Sequence, residues 1–564
     1  MQTNTAQTNT AQTNPSDIDV APGSSPSESV VNNAGYAVLK TLRNYGVDAI
    51  FGIPGTHNLE FYRHLVPLGI RPVTTRHEQG AGYGADGWAQ QTGLPGVVIT
   101  TSGPGLLNAL SAAGTAYCES RPLIILSPGV PEGEEFADIG SLHETKDSTA
   151  AAGAIVEWSR RVHSATEAVA AVHDSFELFR YGRPRPIHIE VPLNILESIS
   201  DCPEELLAAK PVRAGQGAHA AELQAATALL RDAARPVILA GGGSIRAGAE
   251  LAALAELLQS PVVTTLNGKG AVPESHPLSL GSDIRLPAAQ ELCDDADVLL
   301  IVGSKVGESE MWGGKLAPRG KVIRVDILAS QADKNVASDL ALIGDAAVVV
   351  PQLIAELGPL NRATADLDAV RDTLRSQARA LSPELSRIAV EAASVLPSDT
   401  IVGGDSSQIT YLGTASFIPQ ERPHSFLYTP AYATLGYGLP ASIGAKIAAP
   451  ERPVVCILGD GALMFAVQEL MTAVEQRIDL VVVCVDNGGY AEIRANEADR
   501  GIAPVGVDLV QPDWAALATA FGGTGRKVAS AADFAPMLAR AIESGGLQLL
   551  HVPVELFSEP TSQS

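Results

Sequence analysis

At 564 residues, 46% of them hydrophobic and 18% charged, the chain has room for three or four domains that each bury a core. Its 39 basic and 63 acidic residues leave a formal charge of −24, which argues against nucleic acid and anionic membrane surfaces as main partners. No apolar run approaches the roughly 20 residues that a membrane crossing needs. The five cysteines, Cys118, Cys202, Cys293, Cys456 and Cys484, lack CxxC spacing and read as reduced thiols of a cytoplasmic protein.

In chain order, residues 1–30 carry a QTNTA repeat and a Ser/Pro-rich stretch with neither a positive segment nor an apolar one, so they read as a disordered tail rather than a signal peptide. From about Gly35 short β-branched runs (DAIFGIPG, IRPVTTRHE, GVVITTSGPG, PLIILSPG, PIHIEVP) alternate with helical stretches, the pattern of a doubly wound parallel sheet. This block, 31–197, gives way to a polar linker, 198–218, and a second block, 219–358, with PVILAGGG, PVVTTLNG, VLLIVGS and KVIRVDI. Alanine-rich linker helices, 359–390, lead to a third block, 391–558, with TIVGGDSS, FLYT, PVVCILGD, DLVVVCVDN and LQLLHVPVE, and residues 559–564 form a short tail. The expected fold is therefore α/β, with three doubly wound parallel-sheet domains. The Gly241-Gly242-Gly243 cluster invites a dinucleotide reading, but the next strand offers Asn267 where an acidic ribose partner is needed.

The densest chemistry lies in the third block. PVVCIL and LVVVCV read as neighbouring strands buried on both faces, and each ends in a turn, Gly-Asp-Gly at 459–461 and Asn-Gly-Gly at 487–489. Ligands of open α/β sheets bind outside the carboxyl ends of the strands. Asp460, Asn487 and a carbonyl near Gly489 form an oxygen-only set suited to Mg²⁺, and the N–H groups of Gly461 and Ala462 at a helix start suit a diphosphate. In the first block, Glu78 follows IRPVTTRH and opens the small-residue helix QGAGYGADGWAQQ. Alone it also reads as an acid favoured by the helix dipole.

FGIPGTHNLEFY, RHEQGAGYGADGWAQQTGLPGVVITTSGPGLLNAL, RPIHIEVP, YATLGYGLPASIGAKIA and the Gly-Asp-Gly segment, spread over residues 33–557, resemble the thiamin-diphosphate enzymes of the acetolactate synthase and 2-oxo acid decarboxylase superfamily. The resemblance implies pyrimidine-binding, middle and diphosphate-binding domains. It implies that Glu78 hydrogen-bonds the aminopyrimidine and promotes loss of the thiazolium C2 proton, that Leu435 wedges the cofactor into a bent shape, and that the Ala433 carbonyl meets the 4′-amino group. Asp405, Ser406, Ser407, Gln408, Gly459, Gly461, Ala462, Asn487 and Tyr490 would line the rest of the cofactor, with Asp460, Asn487 and Gly489 on Mg²⁺. In this family the site lies between subunits, so a homodimer is the minimum and a homotetramer is common. Two positions depart from the pattern: Ala462 stands where a hydroxyl residue is frequent, and Asp486 replaces the first Asn of the usual pair.

The middle block lacks the Gly-Met-His-Gly and arginine-phenylalanine-aspartate segments of FAD-binding synthases, so FAD is not expected. At 141–147, SLHETKD has His143-Glu144 where synthases carry Phe-Gln-Glu and simple decarboxylases His-His; both are catalytic candidates, His143 as a proton relay against a surface-loop reading. The stretch after Asn487, GGYAEIRANEADRGIAPVGVDLVQPDW, resembles the branch that decarboxylates 5-guanidino-2-oxopentanoate. Glu492 falls where simple decarboxylases place an apolar residue against the substrate's far end; it reads equally as a guanidinium partner or as an exposed charge on a short helix. The expected reaction is non-oxidative decarboxylation of a small-molecule 2-oxo acid to an aldehyde and CO₂, with acetolactate synthase-like carboligation as the alternative.

Overall fold

Continuous Val, Ile and Leu runs, buried on both faces, build three parallel sheets in a computed structural model that describes residues 31–558. The expected tails, 1–30 and 559–564, lie outside the described residues. The first sheet holds β1 (Ala49–Gly52), β2 (Arg71–Thr74), β3 (Gly96–Ile99), β4 (Leu123–Gly129), β5 (Trp158–Arg161) and β6 (Ile187–Pro192), in the order β2-β1-β3-β4-β6-β5. The second holds β7 (Pro236–Ala240), β8 (Val262–Thr264), β9 (Val298–Val302), β10 (Lys321–Asp326) and β11 (Leu340–Ile343), in the order β11-β10-β9-β7-β8. The third holds β12 (Ile401–Gly403), β13 (Phe426–Leu427), β14 (Val454–Gly459), β15 (Leu480–Asp486), β16 (Thr524–Lys527) and β17 (Leu547–Pro553), in the order β13-β12-β14-β15-β17-β16. Every pairing between these strands is parallel.

Renumbered from their own first strands, the first and third sheets have the same order. In each, the chain leaves the first and third strands toward opposite edges, and that reversal opens a crevice at the strands' carboxyl ends. In the third sheet the crevice lies between β12 and β14, ahead of Asp405 and Asp460.

The two domains meet through backbone. Helix Glu78–Thr92 lies against helix Gly438–Ala448, where a Cβ added at Gly444 would fall 1.8 Å from the Gly84 carbonyl oxygen and one at Gly87 would fall 1.9 Å from that of Ala441. Tyr83 of the first helix belongs to the core that covers one face of the third sheet. In the middle domain, the Gly241–Gly243 cluster packs on backbone: a Cβ at Gly241 would lie 2.5 Å from the Gly303 carbonyl oxygen, and Gly243 donates its N–H to that same oxygen.

Four features differ from the sequence expectation. Strands β5, β11 and β16 appear at sheet edges, and the helical stretch after Gly-Asp-Gly is broken into Asp460–Met464 and Glu469–Glu475. The second of these docks on the first domain, with the Glu469 carboxylate accepting the N–H of Arg76 at 3.1 and 3.2 Å. Among the described residues no helix is long and apolar enough to cross a membrane.

Candidate active site

β14 delivers Gly459 and Asp460 to the third-domain crevice, and β15 delivers Asp486 and Asn487 beside them. The Ser407 hydroxyl oxygen accepts the Gly459 N–H at 3.1 Å, tying the turn after β12 to the end of β14. Asp460 is wholly buried; its Oδ2 accepts from Gln511 Nε2 at 2.6 Å and its Oδ1 from the Asn487 N–H at 3.3 Å. Burial, and after it the charge of Asp486, pushes the Asp460 carboxyl up to about 6. Asp486 points away, bonded to His551 Nε2 at 2.8 Å and the Gly488 N–H at 2.9 Å.

The Asn487 amide oxygen faces two further acceptors, Asp460 Oδ1 at 3.2 Å and the Gly489 carbonyl at 3.1 Å, while its Nδ2 donates to Gln408 Oε1 at 3.4 Å. With the amide rotated its nitrogen donates to both, so the Asn487 side chain bridges the Asp460 carboxylate and the Gly489 carbonyl. A carboxylate, a side-chain amide and a backbone carbonyl meet there, the kinds of oxygen ligand that Mg²⁺ takes. The donor set thus fits a hard cation. Glycine is required in this turn, since Gly488 and Gly489 have φ of +82° and +134°, and a Cβ at Gly489 would lie 2.2 Å from the Val507 carbonyl oxygen.

Gly461 and Ala462 occupy the first turn of Asp460–Met464, and the Tyr490 ring closes over Gly461, 3.0 Å from where a Cβ would stand. Ser406, Ser407 and Gln408 are half-exposed around the same opening. Asp405 is fully buried: Oδ1 accepts the N–H of Ser406 at 2.8 Å and of Gly436 at 3.1 Å, and Oδ2 that of Gly438 at 2.8 Å. Burial raises its carboxyl to about 6 against those bonds. Asp405 therefore pins the 433–438 turn to the end of β12. That turn presents exposed Ala433, at φ +51°, and half-buried Leu435.

At the crevice edge, Glu492 stands exposed on helix Ala491–Asp499, its Oε2 accepting from Gln408 Nε2 at 3.0 Å and from the Tyr411 hydroxyl at 3.1 Å. Tyr411 sits in a π-helical turn, Ile409–Thr414, a rare geometry frequent at functional sites. Burial first, and then the Glu492 charge, raise its phenol.

A second cluster forms at the carboxyl ends of the first sheet. Glu78, 8% exposed at the start of its helix, accepts from Asn108 Nδ2 at 3.0 Å, and Gly105 closes on its Oε1. His143, in the loop after β4 at φ +60°, contacts Thr101 Oγ1 through Nδ1 at 3.4 Å and meets His57 edge-on at 5.3 Å. His57 Nδ1 lies 2.6 Å from Ser102 Oγ, and its imidazole is pushed down by burial first and by His143 second. Glu144 is otherwise engaged, its carboxylate accepting the N–H groups of Ile139 at 3.0 Å and Gly140 at 2.7 Å. Among the described residues, no hydrogen bond or ion pair links this cluster with the one around Asp460.

Asn108, His57, Gln511 and Tyr411 are the members that the sequence did not single out. Asn108, Gln511 and Tyr411 lie 30, 51 and 81 positions from the carboxylates they serve, so only the sheet order brings them in. His57 in FGIPGTHN, Asn108 in SGPGLLNAL and Gln511 in VDLVQPDW stand within quoted segments, which were the available signal.

Comparison with known proteins matches three family models: "Thiamine pyrophosphate enzyme, N-terminal TPP binding domain" over residues 32–151, the central domain over 223–353, and the C-terminal TPP binding domain over 409–552. The chain is 39% identical to a probable 2-ketoarginine decarboxylase of Pseudomonas aeruginosa, over 87% of this chain and 88% of that one. It is 32% identical to a probable acetolactate synthase large subunit of Methanocaldococcus jannaschii, over 92% and 91% of the two chains. The acetolactate synthase isozyme 3 large subunit of Escherichia coli is 30% identical, over 90% and 91%.

Proposed function

The chain belongs to the thiamine pyrophosphate enzyme family, and on that premise we propose that it decarboxylates, without oxidation, a 2-oxo acid with a polar or cationic tail, the guanidino acid 2-ketoarginine foremost, to an aldehyde and CO₂. The observation that carries the tail assignment is Glu492, an exposed carboxylate at the crevice edge whose direction is set by Gln408 and Tyr411. Such a group pairs bidentately with a guanidinium and repels an acidic tail.

When bound, thiamin diphosphate supplies the electron sink for loss of the carboxylate. Asp460, Asn487 and the Gly489 carbonyl hold Mg²⁺, and the N–H groups of Gly461 and Ala462 receive the diphosphate. Asn108 anchors Oε2 of Glu78, so its Oε1 would be free to hold or give up a proton toward the cofactor's pyrimidine ring. Leu435 and the Ala433 carbonyl would hold the cofactor from the 433–438 turn. The His57–His143 pair would donate and accept protons at the reacting carbon, His143 on a loop held in shape by Glu144. Carboligation is the second reading, supported by the acetolactate synthase relatives.

A homodimer is the proposed minimum, built further into a homotetramer. Exposed Leu107, Phe136, Ile139 and Leu142 in the first domain, and Met464, Phe465 and Ile493 in the third, are apolar surface in the two domains that carry the clusters, of the kind a second copy covers. Protein stripped of metal and cofactor tests the activity. CO₂ release from the guanidino acid should return only when Mg²⁺ and thiamin diphosphate are both restored; undiminished release without them would contradict the proposal.

A further inference from the structure

Short helix Glu308–Met311 of the middle domain ends on Trp312, whose φ is +48° and whose side is 48% exposed. Left-handed backbone disfavours a bulky residue by about 1–2 kcal/mol, and such strain persists where the surroundings impose it. Here the Arg285 guanidinium lies over the indole, 4.7 Å from its centroid, and Tyr411 of the third domain meets it edge-on at 5.5 Å. Arg285 is nearly buried, bonded to Ser416 Oγ at 3.0 Å and facing Asp283 at 3.6 Å, so its charge is countered behind the ring. The same Tyr411 donates its hydroxyl to Glu492. An unbroken path of contacts runs from Asp460 and Asn487 through Gln408, Glu492 and Tyr411 to Trp312.

We propose that Trp312 and Glu492 form a clamp across two domains for the substrate's cationic tail, with Trp312 a specificity-determining residue that offers its exposed aromatic surface. A planar cation uses both halves: the carboxylate takes its N–H groups and the indole takes its face. An aliphatic tail gains nothing from Glu492. A core role would have buried the indole and left no reason for its strained, outward placement. The inference deepens the cationic-tail reading above and rests on it.

The test compares kcat/KM of the Mg²⁺–thiamin diphosphate enzyme for 5-guanidino-2-oxopentanoate and for neutral 2-oxohexanoate. In the native protein the ratio should favour the guanidino acid. Trp312→Ala should lower that ratio about tenfold, the size of a partly desolvated cation–aromatic contact, and Trp312→Phe should keep most of it. Trp312→Leu, which retains apolar bulk without a π face, should behave as Trp312→Ala does and serves if the smaller residue fails to fold. Equal ratios in native, Phe and Leu proteins would overturn the role of Trp312 while leaving the tail assignment standing. A native ratio at or below unity would overturn both.

Discussion

Burial lifts Asp405 and Asp460 alike to about 6, and their partners separate their work. Asp405 spends its oxygens on the N–H groups of the turn it pins, whereas Asp460, held by Gln511 and the Asn487 N–H, stands at the mouth of the strands beside the Asn487 amide and suits a cation. The placement of Asp460 and Asn487 at strand ends, and of Glu78 at the helix start after β2, was legible because each stands in a recognisable segment. The backbone hydrogen bonds of Glu144 and Asp405 were not legible, since they depend on how the loops after β4 and β12 fold. A pH effect belongs to this scale. His188 is wholly buried between the hydroxyls of Ser127 and Ser159, each at 2.7 Å, and burial lowers its pKa from 6.5 to about 4. Between those values the unfolded chain binds a proton that the folded chain does not. The contribution is therefore present above pH 6.5 and lost as pH falls toward 4, on the order of 3 kcal/mol in full. His188→Gln should show a smaller drop in melting temperature between pH 7 and pH 5 than the native protein; an equal drop would contradict this assignment.

At the scale of elements, what decides the first and third domains is how closely two helices approach. Helices Glu78–Thr92 and Gly438–Ala448 cross with backbone against backbone at Gly84, Gly87 and Gly444. A methyl at Gly444 has nowhere to go, because the neighbour it meets is a carbonyl. Gly444→Ala should destabilise the protein by about 1–3 kcal/mol or more, read as a lowered denaturation midpoint; Gly93→Ala, which meets nothing within 4 Å, shows only the separate strain of its φ of +71°. The buried strands were readable as apolar runs. The missed ones, β5, β11 and β16, are edge strands with sequences such as Trp158-Ser159-Arg160-Arg161 and Thr524-Gly525-Arg526-Lys527, half-exposed or exposed along most of their length. The edge strands β2, β8 and β13 were read from their β-branched or aromatic runs, whereas β5 and β16 carry basic residues and β11 is only the four residues Leu340–Ile343. The break after Met464 escaped notice because Glu469 answers to Arg76 in another domain.

At the scale of the molecule, two sheets of one topology each carry a cluster at their strands' carboxyl ends, Glu78 with the histidines in one and Asp460 with Asn487 in the other. A site shared between two copies of the chain would unite them. Co-expressed Glu78→Gln and Asp460→Ala chains, each inactive alone, should then recover about a quarter of native activity, because random pairing leaves that share of sites without either change. No recovery would mean that each chain completes its own site. The central claim is decarboxylation with release of an aldehyde. Its most direct test is the amount of aldehyde formed per CO₂ from the guanidino acid by the Mg²⁺–thiamin diphosphate protein, with pyruvate present as a competing acceptor. The account predicts equal amounts, and CO₂ accompanied by a ligated hydroxy-keto acid in place of the aldehyde would contradict it.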